Sequence, residues 1–242
     1  LLGYLKELLR KDVAPDYYTA DMAASARATA LAALAQRGQV TLRDIERLRP
    51  RYKTMGLFGN AMAMRAALSL KDASGDKLAD ELAEIIMAHS NQTSGKFLFS
   101  EESGEGYSRM LSTPLRDNCA ILSSLVAYGR EARNRARMED VTFKLVRAIS
   151  QSQRKSGYWG NTQENMFCTT ALADYAAVYE KATPDIRVTA SLGGEPLGNA
   201  ELKGAQASPV TLTRPIGADD AGKTADISIK REGEGRLYYA TR

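Results

Sequence analysis

The chain has 242 residues, 44% of them hydrophobic, which is enough for one large domain or two modest ones with a core of ordinary composition. The net charge of +4 comes from 33 basic and 29 acidic side chains interspersed along the sequence, so charge alone marks out no nucleic-acid surface. No stretch approaches about 18 consecutive apolar residues, so none reads as a transmembrane helix, and one histidine with two cysteines is too few for a zinc site unless carboxylates complete it.

The opening Leu1-Leu2-Gly3-Tyr4-Leu5-Lys6 lacks the basic leader, apolar run and cleavage site of a signal peptide. It reads as the middle of a helix covering residues 1–10, as in a piece of a longer chain. Pro15-Asp16 opens a second helix to about Gln36, with Met22, Ala26, Thr29, Ala30 and Ala33 as its inner face and Gly38 as its stop. Thr41 starts a short helix, Leu42–Leu48, before Pro50. The next helix carries Leu57, Ala61, Met64, Ala67 and Leu68, and residues 76–91 follow with Leu78, Leu82, Ile85 and Ile86 inward. Residues 96–100 and 107–111 flank the loop Glu101–Gly106 as a β-hairpin. Helices resume at Thr113-Pro114, an N-cap followed by proline in the first helical position, with Ile121, Leu122, Leu125 and Val126 as the stripe. Glu139-Asp140 open another helix whose face is Val141, Leu145, Ala148 and Ile149. Asn161 and Glu164 have the spacing of a capping box, and Met166, Thr170, Ala173 and Ala177 are expected to line the last helix. The helices pair with a period of roughly 45 residues, the range of helical-repeat architectures.

From residue 184 the period changes to two. Ile186, Val188, Ala190 and Leu192 alternate with polar residues, and Gly193-Gly194 makes a turn. Further strands are expected at 197–203, 209–213, 224–230 and 235–241, with 232–235 as a hairpin loop. Such a sheet has one greasy face and needs another layer over it.

Tyr158-Trp159-Gly160-Asn161-Thr162-Gln163-Glu164, with Thr170-Ala171-Leu172-Ala173-Asp174-Tyr175 after it, resembles the end of the thioester domain of bacterial α2-macroglobulins. So does Ser112-Thr113-Pro114-Leu115-Arg116-Asp117-Asn118-Cys119-Ala120-Ile121-Leu122. Gly233-Glu234-Gly235-Arg236-Leu237-Tyr238-Tyr239-Ala240 resembles the returning half of the split CUB-like β domain that hosts that helical domain. The resemblance covers nearly the whole chain. It implies an α-then-β protein: residues 1–182 as the C-terminal part of an α/α-toroid, and 183–242 as part of an incomplete antiparallel β-sandwich. It further implies an envelope-located, periplasmic protease inhibitor that traps proteases after cleavage of a bait segment. The family's thioester is built from Cys-Leu-Glu-Gln. Cys119 is followed by Ala120-Ile121 and Cys168 by Thr169-Thr170, so neither inherits the role.

The expectation is therefore scaffold: not an enzyme, with no catalytic, cofactor or metal site. The partners would be proteases, through the larger protein, and other envelope proteins, with no nucleic acid and with membrane contact only through an anchor outside this segment. Two other readings compete, a partner-binding module of an envelope complex and a toroid enzyme such as a terpene cyclase or glycosidase. His89 reads as a helix-end histidine, Trp159 as a packing anchor, and Glu101, Glu102 and Glu105 as solvated loop charge rather than a glycosidase acid pair. Asp219-Asp220 lacks further metal ligands, and Arg130, Arg133, Arg135 and Arg137 read as a solvated interhelical connection. Cys119 and Cys168 fit either buried free thiols or a disulfide.

Overall fold

The structure is a computed structural model and describes residues 1–11, 14–93, 96–101, 107–180, 182–204, 207–217, 220, 222–239 and 241. Two compact units divide the chain, Leu1–Val178 and Tyr179–Arg242. The division falls a few residues before the expected boundary at 182/183.

The first unit holds eight helices among the described residues: α1 (Leu2–Lys11), α2 (Ala20–Ala35), α3 (Leu42–Glu46), α4 (Gly56–Leu68), α5 (Ala73–Met87), α6 (Pro114–Tyr128), α7 (Arg135–Gln151) and α8 (Thr162–Tyr179, whose last residue passes into the second unit). Their N-termini follow local chemistry. The Thr19 hydroxyl accepts from the Met22 amide, Asp72 from Gly75, and Thr113 from Arg116, each satisfying a donor that the first helical turn leaves open. Thr41 and Asp44 form a reciprocal capping box on α3.

Side-chain cross-links give the helix directions. Phe58 lies under the Arg116 guanidinium and Arg65 donates to Ser123, so α4 and α6 face each other at a constant offset of 58 residues. Phe58 meets Phe167 edge-on and Arg65 pairs with Asp174, an offset of 109 between α4 and α8. Thr113 reaches Glu164, Cys119 is bonded to Cys168, and Ser123 reaches Asp174, at offsets of 51, 49 and 51. A constant offset means helices running the same way, so α4, α6 and α8 are parallel and in register. The Thr54 hydroxyl on Asp21 and the Ser25 hydroxyl on the Met55 carbonyl, 33 and 30 residues apart, set the start of α2 beside the start of α4. Gly59 permits this approach: a Cβ there would lie 2.7 Å from Ser25 Oγ and 3.2 Å from its Cα.

Ion pairs tie α5 to the start of α7 and to the residues just before it. Asp80 binds Arg133 and Glu84 binds Arg137, both 53 residues apart. Short connections make α4–α5 and α6–α7 antiparallel hairpins. Burial differs between the helices. α4 and α6 are buried almost all round, whereas α7 buries one face, Met138, Val141, Leu145, Ala148 and Ile149 among others.

Several expectations need correction. α2 begins at Ala20 rather than at 16, because Pro15 to Tyr18 forms a turn and Thr19 supplies the cap; Ala33 on the expected inner face is exposed. The hairpin pairs β1 (Ser90–Thr93) with β2 (Lys96–Phe99), and Tyr107–Met110 is a 3-10 turn. The buried face of α8 is Glu164, Cys168, Ala171, Tyr175 and Val178, while Met166, Thr170, Ala173 and Ala177 are exposed. Its inner contacts are a carboxylate and a disulfide, which an apolar-stripe reading passes over. α7 starts at Arg135, ahead of Glu139. Repeat spacing is uneven, because the β1–β2 hairpin and the segment after it lengthen the path from α4 to α6.

The second unit is a three-stranded antiparallel sheet of order β4-β3-β5: β3 (Asp185–Leu192), β4 (Glu195–Lys203) and β5 (Ile227–Glu234). Ile186, Val188 and Ala190 are buried on β3, as the alternation predicts. Gly193 and Gly194 turn β3 into β4 with φ of 59° and 87°, both positive as a two-residue type I′ turn requires. Gly233 has φ 95°, and a Cβ there would sit 2.0 Å from the Asp185 carbonyl oxygen. The expected strand at 209–213 carries no secondary structure, and its Leu212 lies against Gly198. The expected loop at 232–235 is instead mostly strand, and the described residues of 235–241 carry no strand.

Candidate functional site

The parallel core of the first unit brings like ends of α4, α6 and α8 together, and polar side chains gather at both ends. At the N-terminal end each helix receives a carboxylate, the charge that complements the positive end of a helix dipole. Both Glu101 oxygens accept from the Leu57 amide at 2.8 and 2.9 Å, at the start of α4. Asp117 lies in the first turn of α6, accepts from Ser112 at 2.8 Å and pairs with Arg116 at 2.6 Å. Glu164 in the first turn of α8 accepts from the Gly160 amide at 2.8 Å and from the Thr113 hydroxyl at 2.7 Å. Glu164 thus fastens two helix starts at once. The Asn161 side chain accepts from the Glu164 amide as a capping box would have it, but the Glu164 carboxylate reaches Gly160 instead of returning to Asn161.

The guanidinium of Arg116 is buried, stacked 4.2 Å from the Phe58 ring centroid, paired with Asp117 and donating to the Met110 carbonyl at 2.9 Å. Asn118 donates to the Phe99 carbonyl and accepts from the Phe99 amide, both at 2.8 Å, holding β2 to α6. Burial raises the carboxyl of Asp117, against the lowering pull of Arg116 and its hydrogen bonds. Glu101 is exposed as a residue, but its carboxyl tucks against α4. Burial raises its pKa first, the Leu57 amide opposes that, and the Asp117 charge adds to it.

Toward the C-terminal end, Arg65 of α4, Ser123 of α6 and Asp174 of α8 form a polar bridge. Ser123 donates to Asp174 and accepts from Arg65, whose Nη1 also lies 3.5 Å from Asp174 Oδ2. The bridge lines a cavity of about 620 Å³ that opens beside the last turns of α2, α4 and α6. Lys71, Asp76, Arg130 and Glu131 also line it. Ser123 with Asp174 resembles a nucleophile with its base. Arg65 engages both groups, however, and the protein's one histidine, His89, sits at the end of α5 with Nδ1 2.9 Å from the Ile85 carbonyl oxygen. The arrangement is a strut between helices.

Cys119 and Cys168 are joined in a disulfide with Cα atoms 4.8 Å apart, midway between the two polar ends. Trp159 is 4% exposed, and its Nε1 donates to the Ile149 carbonyl at 3.2 Å. Asn165 clamps the same residue through its backbone amide and carbonyl. Arg133 and Arg137 pair with α5, Arg135 donates to the Val178 carbonyl, and Arg130 lines the cavity, so the arginine cluster is divided among three tasks. Asp220 accepts from the Gly217 amide at 3.1 Å. Glu102, Glu105 and Asp219 lie outside the described residues. Among the described residues no three histidine, cysteine, aspartate or glutamate side chains gather as a metal site, and no helix is long and apolar enough to cross a membrane.

Arg65, Ser123 and Asp174 were not singled out from the sequence. The one signal linking Ser123 to Asp174 is the offset of 51 residues that also relates Thr113 to Glu164, visible only once α6 and α8 are set in register. No protein-family model matches the chain, and no curated protein matches it.

Proposed function

We propose that this chain is scaffold from a bacterial α2-macroglobulin-like protease inhibitor. Residues 1–178 would be part of an α/α-toroid, and the sheet that follows would be part of a β-sandwich. The observation that carries the reading is the set of in-register ties across α4, α6 and α8. Carboxylates, hydroxyls and a disulfide are engaged in fastening helix to helix, which is what a load-transmitting frame requires. The inner parallel layer with an outer layer over it agrees with a toroid, and the antiparallel sheet after α8 agrees with the order the resemblance implies. A buried disulfide supports an oxidising location such as the periplasm. Cys119 is engaged in that disulfide and so has no free thiol with which to build a thioester. In the trap reading this region would shield and transmit movement, and capture would be made elsewhere in the parent protein.

The test uses the parent protein incubated with an excess-free amount of an endopeptidase. The expected result is a mobility shift on a native gel, with the protease still cleaving a small chromogenic peptide but no longer a large protein substrate. Full activity on the large substrate after complete cleavage of the parent overturns the trap reading.

A further inference from the structure

The cavity beside the C-terminal turns of α2, α4 and α6 has features that the scaffold role does not use. Its volume of about 620 Å³ falls in the range of about 300–1,000 Å³ common to small-molecule sites. Arg65 contributes only Nη1 to the Ser123–Asp174 bridge, and Asp174 contributes only Oδ2, so a guanidinium edge and a carboxylate oxygen remain. Ion pairs and side-chain hydrogen bonds satisfy most charged residues elsewhere in this unit, yet among the described residues none is made by Lys71, Arg130, Asp76 or Glu131. Two cations and two carboxylates that make no ion pair or side-chain hydrogen bond among the described residues therefore share one cavity with a polar floor, although Asp76 also feels the charge of Arg133. Three helix C-termini add partial negative charge, which favours a cationic group on the inner side.

A ligand of single sign would meet as much repulsion as attraction from these four groups. A compact molecule carrying both an ammonium and a carboxylate meets both signs of charge at once. The apolar lining of Leu68, Val126 and Ala127 suits an aliphatic body between those two ends. We propose that this cavity binds a short peptide in zwitterionic form, its ammonium toward Asp174 and Asp76 and its carboxylate toward Lys71 and Arg130.

Isothermal titration calorimetry on the whole chain with trialanine tests this, alongside N-acetyl-trialanine and trialanine amide. Trialanine should bind, and each blocked form should bind about tenfold more weakly or worse, the loss expected for one charged hydrogen-bonding group. The Lys71→Gln/Arg130→Gln variant removes two exposed cations without touching the core, and its unfolding midpoint serves as the folding check. It should weaken trialanine by about tenfold while leaving binding of the amide unchanged. No heat of binding at millimolar peptide, equal binding of the blocked forms, or unaltered affinity in the variant overturns the proposal. These outcomes are separable from failure of the protease-trap assay, which does not involve the cavity.

Discussion

Removing the disulfide should cost the helical unit more than any single side chain contact. Cys119 and Cys168 close a loop of 49 residues that holds the end of α6, all of α7 and the start of α8. On the chain-entropy account, closing a loop of that length takes roughly 14 cal/mol/K from the unfolded state, or about 4 kcal/mol at 25 °C. Against a total stability of about 5–15 kcal/mol for a domain, that is a large share. Both cysteines are fully buried, so the double variant Cys119→Ala/Cys168→Ala also loses some packing, which adds to that figure. Urea titration reads the difference directly. Trp159, the protein's only tryptophan, lies inside the closed loop and is buried against α7, so its fluorescence reports the opening of this region. With an m-value of about 2 kcal/mol/M, the midpoint should fall by about 2 M. A fall smaller than about 0.5 M, with m unchanged, would refute the argument. It would mean that the helices hold residues 119–168 together without the covalent tie.

Two further outcomes follow from the polar ends of the inner helices. Asn118→Ala leaves the amide and carbonyl of Phe99 without their side-chain partner, and should destabilise by about 2–3 kcal/mol in the same titration; a loss below about 0.5 kcal/mol would mean water replaces the amide at no cost. Glu101 has a folded-state pKa raised above its ordinary 4.5, with burial as the main cause, so the folded chain holds this proton more tightly than the unfolded chain. Its contribution is therefore fully present below pH 4.5 and is lost as pH rises through the folded value. Glu101→Gln removes the titration and keeps an oxygen for Leu57. Stability curves of wild type and variant should run parallel at neutral pH and diverge toward pH 4.5, where wild type alone gains. Parallel curves over the whole acid range would show that the carboxyl titrates normally.

How much of this was legible in the sequence depends on the range of the force involved. Local signals succeeded. Thr113-Pro114 opens α6, Thr41 starts α3, and Gly193-Gly194 turns β3 into β4, because each needs only neighbours within a few residues. The change from helix to strand near residue 184 was legible for the same reason, as the period itself changes. What failed was whatever a distant partner decides. Glu164 and Cys168 face inward on α8 because Thr113 and Cys119 await them, and no periodicity of apolar residues reports that. The hairpin lies one strand earlier than the pattern predicts, because Ser90–Thr93 is polar and offers no apolar alternation to mark it as the partner of β2. Likewise residues 209–213 alternate like a strand but find no partner strand.

The parallel inner helices present an electrostatic problem whose solution accounts for most of the polar residues here. Helices laid side by side in the same direction bring like dipole ends together, which is unfavourable unless charge is supplied at each end. Glu101, Asp117 and Glu164 place carboxylates where α4, α6 and α8 begin, each anchored by backbone amides, hydroxyls or Arg116, although for Glu101 and Asp117 burial outweighs these partners and raises the pKa. Arg65 belongs to the last turn of α4, and Lys71 and Arg130 follow the ends of α4 and α6. The carboxylates are bound and shielded, whereas Lys71 and Arg130 stay exposed at the mouth of a cavity. Both ends meet the same dipole requirement, but only one end leaves its charges open to another molecule. That asymmetry is why the N-terminal end reads as frame and the C-terminal end as a surface that can take a ligand.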